Sequence, residues 1–255
     1  MTASFAGKSV IVTGGSGGMG RATSRAFAAA GAKVLVADVD VVGGQATVEQ
    51  VRADAGTAEF LRVDVSDAEQ VAEMVRTAVE RFGGLDSAVN MAAIENEESA
   101  LVDCEDERFD RIIAVNLRSI FLCMKHEIAA MTAGGKGGTI VNIASTNSFR
   151  PQPRQPAYTA SKFGVLGLTK QAAIDYAPLG VRINAIAPGP IDTPMLRNSI
   201  ARRHGDAADV QRRLSLLGRF GDPDEIARAA LWLCSDESSF TIGHALAVDG
   251  GYLAR

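Results

Sequence analysis

Nothing in the composition points to a disulfide-stapled, metal-built or membrane-spanning molecule. The 255 residues include three cysteines. These are Cys104, Cys123 and Cys234, widely spaced and in no metal-ligand pattern. Reduced thiols in a cytosolic setting suit them better than a disulfide scaffold. There is no basic surplus: 26 Lys and Arg stand against 30 Asp and Glu, a net charge of −4, so no field attracts nucleic acid or an anionic membrane. No apolar run approaches the roughly 18 residues of a spanning helix, and Met1 to Lys8 lacks the apolar core of a signal peptide. Repeats, linkers and low-complexity breaks are missing as well. The absences leave a cytoplasmic, soluble protein of one domain, residues 1–255, as the expectation. Its 47% hydrophobic and 22% charged residues suffice for an ordinary core.

What is present is an alternation of short β-branched apolar runs with helical stretches. Strands are expected at residues 9–12, 33–37, 59–63, 86–90, 139–143, 181–186 and 245–248. Helices are expected at 21–30, 68–82 (stopped by Gly83-Gly84), 109–131, 157–177 (ended by Pro178 and Gly180) and 224–234. Such alternation implies an α/β fold, a doubly wound parallel sheet of about seven strands with helices on both faces. The acidic stretch Glu95 to Asp110 reads as an exposed loop and helix start. Asn198 to Ser215 is polar and basic with no strong core signal, and is expected to belong to a mobile lid over about residues 190–217.

The first strand runs into Thr13-Gly14-Gly15-Ser16-Gly17-Gly18-Met19-Gly20 and then a helix. Glycines between a strand and a helix let backbone approach a pyrophosphate at the positive helix end, so this turn reads as a dinucleotide site. The second strand ends in Asp38, placed to accept from adenosine ribose hydroxyls and to repel a 2′-phosphate. No Arg or Lys stands at Gly17 or Val39 to offset that repulsion, which predicts NAD rather than NADP. Asp64, after the third strand, is open to two readings, a contact to adenine or a helix cap.

Tyr158 and Lys162 stand four apart on the expected helix and so share a face. A unit charge about 4 Å from a phenol is worth roughly 4 kcal/mol at an effective dielectric near 20. Before the cost of desolvation is subtracted, that would bring Tyr158 some 2 to 3 pH units toward neutrality and make it a usable acid/base. Asn116, polar inside an apolar helix, needs a partner or a cavity.

These residues together resemble the short-chain dehydrogenase/reductase family over essentially the whole chain. The family's T-G-x-x-x-G-x-G turn is matched by Thr13, Gly14, Gly18 and Gly20, and its acidic NAD selector by Asp38. Its adenine-contacting aspartate falls on Asp64, its serine, tyrosine and lysine on Ser145, Tyr158 and Lys162, and its relay asparagine on Asn116. Pro188-Gly189 with Ile191 and Thr193 is similar to its nicotinamide-carboxamide stretch, and Asp249-Gly250-Gly251 to its C-terminal signature. The resemblance implies a Rossmann-like fold with cofactor contacts that also include Ser16, Gly17, Met19, Val39, Val65 and Asn90. It departs after the fourth strand, where Asn90-Met91-Ala92-Ala93 replaces N-N-A-G.

The chemistry implied is hydride transfer between a secondary alcohol, or its ketone, and NAD. Tyr158 would act as acid/base and Ser145 bond the substrate oxygen. Lys162 would lower the tyrosine and hold the ribose, and Asn116 would position water. Ile94, Glu95, Asn147, Gln152 and Met195 are the expected pocket residues. Ile94-Glu95-Asn96 resembles the corresponding stretch of the family's glucose dehydrogenases, which keeps a sugar dehydrogenase as an alternative. A non-catalytic NAD-binding regulator is a further one. The family's habit also implies a homotetramer.

Overall fold

Seven strands, β1 (Ser9–Thr13), β2 (Lys33–Asp38), β3 (Thr57–Arg62), β4 (Ser87–Asn90), β5 (Gly138–Ile143), β6 (Val181–Pro188) and β7 (Ala245–Val248), pair side by side. They form one wholly parallel sheet in the order β3-β2-β1-β4-β5-β6-β7. The computed structural model describes residues 4–202 and 205–255. Residues 203 and 204 of the expected lid, and the first three of the Met1–Lys8 stretch, lie outside the described residues.

The central strands are buried on both faces because their alternate side chains feed two cores, while the edge strands β3 and β7 are only partly covered. Along β1, Val10 and Val12 join Phe27, Val34, Val36, Ile186 and Ile226 on one side. Ile11 joins Leu35, Met74, Ile140, Val165 and Ile183 on the other. The first side is covered by α1 (Gly18–Ala29), α2 (Val41–Ala53) and α9 (Pro223–Cys234), and the second by α3 (Ala68–Phe82), α5 (Ser119–Ala133) and α6 (Pro156–Tyr176). The doubly wound α/β expectation therefore holds in full. No described helix is long and apolar enough to cross a membrane.

Two expectations need correction. The helix expected over 109–131 is α4 (Asp106–Ile113) and α5 joined by a π-helical turn, Ala114–Arg118, centred on Asn116. Within the expected lid, Asn198 to Ser215 is mostly occupied by α7 (Pro194–Arg202) and α8 (Ala207–Leu214). Neither buries a residue, which is why no core periodicity shows in the sequence. Finally, Glu97 in the supposedly exposed acidic loop is 5% exposed.

Because the sheet is parallel, the C-terminal ends of β1, β4, β5 and β6 lie along one edge. Neighbouring crossovers leave that edge in opposite directions at β1 and β4, which opens a crevice there.

Candidate active site

The crevice is floored by the glycine turn. Gly14 adopts φ +69°, and a Cβ there would sit 2.8 Å from the Ala92 backbone; one on Gly20 would sit 2.0 Å from the Gly14 carbonyl oxygen. The turn is thus clamped between β4 and its own helix, and only glycine fits. Thr13 reinforces the clamp, its hydroxyl accepting from the N–H groups of Met91 at 3.1 Å and Ala92 at 3.3 Å. Helix α1 starts at Gly17 with no side-chain cap and no acid in its first turn. Its N–H groups and positive end face the crevice, the arrangement that suits a pyrophosphate. Thr193 closes over the turn, its methyl 3.0 Å from where a Gly18 Cβ would be.

Asp38, at the end of β2, is tied to the same turn. One carboxylate oxygen accepts from the Ser16 N–H at 3.0 Å and the Ser16 hydroxyl at 2.7 Å. Val39 beside it is half exposed, whereas Met19 and Val65 pack inward. Asp64 binds the N–H and hydroxyl of Ser66, which hold its carboxyl below the usual range. The cap of α3 is Asp67 instead, so the capping alternative for Asp64 is set aside. At the far end of the crevice Gly189 packs on the Asp249 backbone, and Ile191 is buried after Pro188. These features fit a dinucleotide from the adenine side to the nicotinamide side.

Tyr158 and Lys162 occupy the first two turns of α6. Ser145, from the loop after β5, accepts from the Asn147 N–H at 3.1 Å and acts on the Tyr158 phenol to oppose its rise. Lys162 is 2% exposed, and its ammonium donates to the Ile143 carbonyl at 2.8 Å, lying 5.7 Å from the centre of the Tyr158 ring. The expected lowering of the phenol is therefore corrected. Burial pushes Tyr158 up, Ser145 works against this, and the charge of Glu97 adds to it. Lys162 is itself pushed down to about 8 by burial. The ammonium serves the sheet backbone from beneath the ring, so it does not offset the lost hydration of a phenolate. Asn116 is wholly buried and both ends of its amide meet Ile94, accepting from its N–H at 2.9 Å and donating to its carbonyl at 3.2 Å.

Of the expected pocket residues, Asn147 is buried and donates to Gln155 at 2.6 Å. Gln152 is drawn to the Tyr252 hydroxyl. Glu95 is paired with Arg202 of α7, while Met195 on the same helix is partly exposed.

Residues 14–253 match the family described as enoyl-(acyl carrier protein) reductase. The chain is 41% identical over 250 residues to 2,5-dichloro-2,5-cyclohexadiene-1,4-diol dehydrogenase of Sphingobium indicum, covering 98% of each. The chain is a short-chain dehydrogenase/reductase. Its relatives in that family include cis-4-hydroxycyclohexanecarboxylate dehydrogenase of Sinomonas cyclohexanicum, 38% identical with all of each chain covered. Cyclohexanol dehydrogenase of an Acinetobacter species is 35% identical, over all of this chain and 98% of that one. The crystal structure of levodione reductase superposes with a TM-score of 0.92 at 35% identity, covering 98% and 99%. A Beutenbergia cavernae chain solved with NADP bound at low occupancy gives 0.91 at 34%, covering 99% of each.

The fold of this short-chain dehydrogenase/reductase is therefore one that binds NAD(P). Its departure after β4 is absorbed by packing. Met91 is buried among Val89, Val141 and their neighbours, and Ala92 still meets Gly14. Sequence reasoning missed three participants. Arg21, on α1, donates to the Ser16 carbonyl at 3.1 Å and to Thr47 at 3.3 Å, setting a guanidinium beside the turn that Asp38 holds. Tyr252 fixes Gln152, and Glu97 meets the start of α6. Their only sequence signal is residue type, since each acts across 5 to 100 positions of chain.

Proposed function

We propose that this short-chain dehydrogenase/reductase oxidises a secondary alcohol borne on a six-membered carbocycle, using NAD. The carrying observation is the gathering of Tyr158, Ser145 and the buried Lys162, its ammonium 5.7 Å from the centre of the Tyr158 ring, at the mouth of the crevice floored by the glycine turn. The substrate class is supported by relatives named for dehydrogenation of a cyclohexadienediol, a hydroxycyclohexanecarboxylate and cyclohexanol. It is also supported by the Glu95–Arg202 pair, which occupies the carboxylate a sugar would need.

Thr13, Gly14, Ser16, Gly17, Gly18, Met19 and Gly20 would hold the pyrophosphate side, and Asp38, Val39, Asp64, Val65 and Asn90 the adenosine side. Pro188, Gly189, Ile191 and Thr193 would hold the nicotinamide end. Asp38 favours NAD, because its carboxylate, fixed by Ser16, stands where a 2′-phosphate would meet like charge. The nicotinamide, when bound, supplies the acceptor for the hydride. The chain's own work is to handle the proton. Ser145 donates to the substrate oxygen, Tyr158 takes the hydroxyl proton as phenolate, and Lys162 would hold the ribose. Asn116, by fixing Ile94, keeps the pocket wall in register and would position water for proton exchange with solvent. Helices α7 and α8, which bury nothing of their own, would open and close as the lid.

The exposed Phe121 and Phe163 of α5 and α6, with Phe240 and Ile242 before β7, support a homotetramer. Buried, unpaired Cys123 and Cys234 suit a cytoplasmic setting.

The test is reduction of NAD and of NADP, read by absorbance, with cyclohexanol-type alcohols, glucose, a hydroxysteroid and a 3-hydroxyacyl thioester in parallel. NADH formation with the cyclic alcohol and its loss in Tyr158→Phe, with NADH binding nearly unchanged, are the expected results. An active Phe variant, or turnover of glucose alone, overturns the reading.

A further inference from the structure

Helix α6 begins without a cap of its own. Gln155 before it makes no side-chain bond to its first turn, Pro156 has no N–H, and no acidic residue of the helix stands in that turn. The N–H groups of Ala157 and Tyr158 instead meet the carboxylate of Glu97, some 60 residues earlier. Ala157 donates to Oε1, and Tyr158 donates to Oε1 at 3.3 Å and Oε2 at 3.2 Å. Glu97 is 5% exposed. A carboxylate that far from water is kept only where hydrogen bonds replace its hydration, and these two bonds do so at the residue that carries the phenol.

We propose that Glu97 is a positioning residue for the reaction, fastening the first turn of α6 to the loop after β4 and so fixing Tyr158 over the crevice. This rests on the reading of Tyr158 as the acid/base. The fastening continues on the other side, because the same loop is pinned three residues earlier by Asn116 at Ile94. The π turn, the loop and the start of α6 thus form one connected brace.

The brace has an electrostatic consequence. Three groups face the Tyr158 phenol: Ser145 from the loop after β5, Lys162 from α6 itself, and Glu97 from the loop after β4. The cations around that loop are directed elsewhere. Arg202 goes to Glu95 and Glu98, Arg154 to the Glu98 carbonyl, and Arg108 to the Glu95 carbonyl. The negative charge of Glu97 therefore opposes the phenolate that oxidation requires, so geometry and basicity are set by one side chain.

The experiment compares the pH–rate profile of alcohol oxidation at saturating NAD in the wild type, Glu97→Gln and Glu97→Ala. Gln keeps the Oε1 acceptor and loses the charge. It is expected to hold Tm and the KM for alcohol near wild type while the acidic limb moves down by about 1 pH unit. Ala loses all of these bonds and is expected to lower kcat by about 10- to 100-fold, as misplacement of an acid/base does, with NADH affinity within about twofold. If Ala does not fold, the limb of the Gln variant decides alone. A Gln limb that coincides with the wild type overturns the proposal. Tyr158→Phe, run in parallel, separates the failures: an active Phe variant sinks the reading of the site, whereas a dead Phe variant with an unmoved Gln limb sinks only the role of Glu97.

Discussion

Glu127 shows what one buried side chain can do away from the crevice. It has no exposed surface, and one carboxyl oxygen accepts from the Asn90 amide at 2.9 Å. Asn90 also donates to Asn142 at 3.2 Å, and Asn142 to Thr169 at 3.0 Å. Burial pushes the Glu127 carboxyl from 4.5 up to about 7, with the Asn90 bond working against it. The folded state therefore keeps a proton that the unfolded chain releases above pH 4.5, so stability falls as pH rises from there to about 7 and stays reduced beyond. Glu127→Gln keeps the acceptor without the proton. Its stability relative to wild type is expected to rise by about 3 kcal/mol between pH 4.5 and 8, read by urea unfolding at several pH values; a constant difference would exclude a neutral Glu127. None of this is visible in sequence. Asn116, Ser145, Tyr158 and Lys162 stand out because they match the family's pattern, but a buried acid and an exposed one are written with the same letter. Glu97 lay inside a run of acids whose other members do face water or guanidinium groups.

At the scale of elements, the seven strands were legible to within two residues, because β-branched runs bounded by Gly, Asn and Asp have few other uses. Helix α2 was not: its first turn, Val41-Val42-Gly43-Gly44, has no helical periodicity and two poor helix formers. It forms because Asp40 caps it and because Gly44 admits the Phe60 ring, 2.1 Å from where a Cβ would sit. The π turn was equally hidden, since a single inserted residue leaves the apolar pattern on both sides intact. The glycine turn makes the strongest demand of any element. Gly20→Ala would drive a methyl against the Gly14 carbonyl and lift α1 from the turn. NADH affinity is expected to fall at least about tenfold, the cost of roughly 1.4 kcal/mol or more, measured by fluorescence titration. Gly167, which has open space around its Cβ position on α6, supplies the control, and its Ala variant should bind as wild type does.

Across the whole molecule, architecture was legible because it follows from alternation of elements, whereas substrate class was not, because the pocket is assembled from loops whose contacts cross the sheet edge. The cysteines give a global probe of that assembly. Burial pushes the Cys123 thiol well up and Cys234 up to about 11, while Cys104 is partly exposed. A thiolate-selective reagent at pH 8 is expected to label one thiol per native chain and three in denaturant, with the native label on Cys104 by peptide mapping. Rapid labelling of all three without denaturant would mean that the two cores open far more readily than their packing implies.

The position of β7 at one end of the sheet has a consequence for assembly. Its partner β6 is fully buried from residue 183 to 188 and pairs with β7 through Ala185 to Pro188. Those same residues lead directly into Gly189. Until β7 docks, an apolar strand edge stands open beside the turn into Gly189. Pairing with β7 therefore closes an edge that would otherwise invite association between copies.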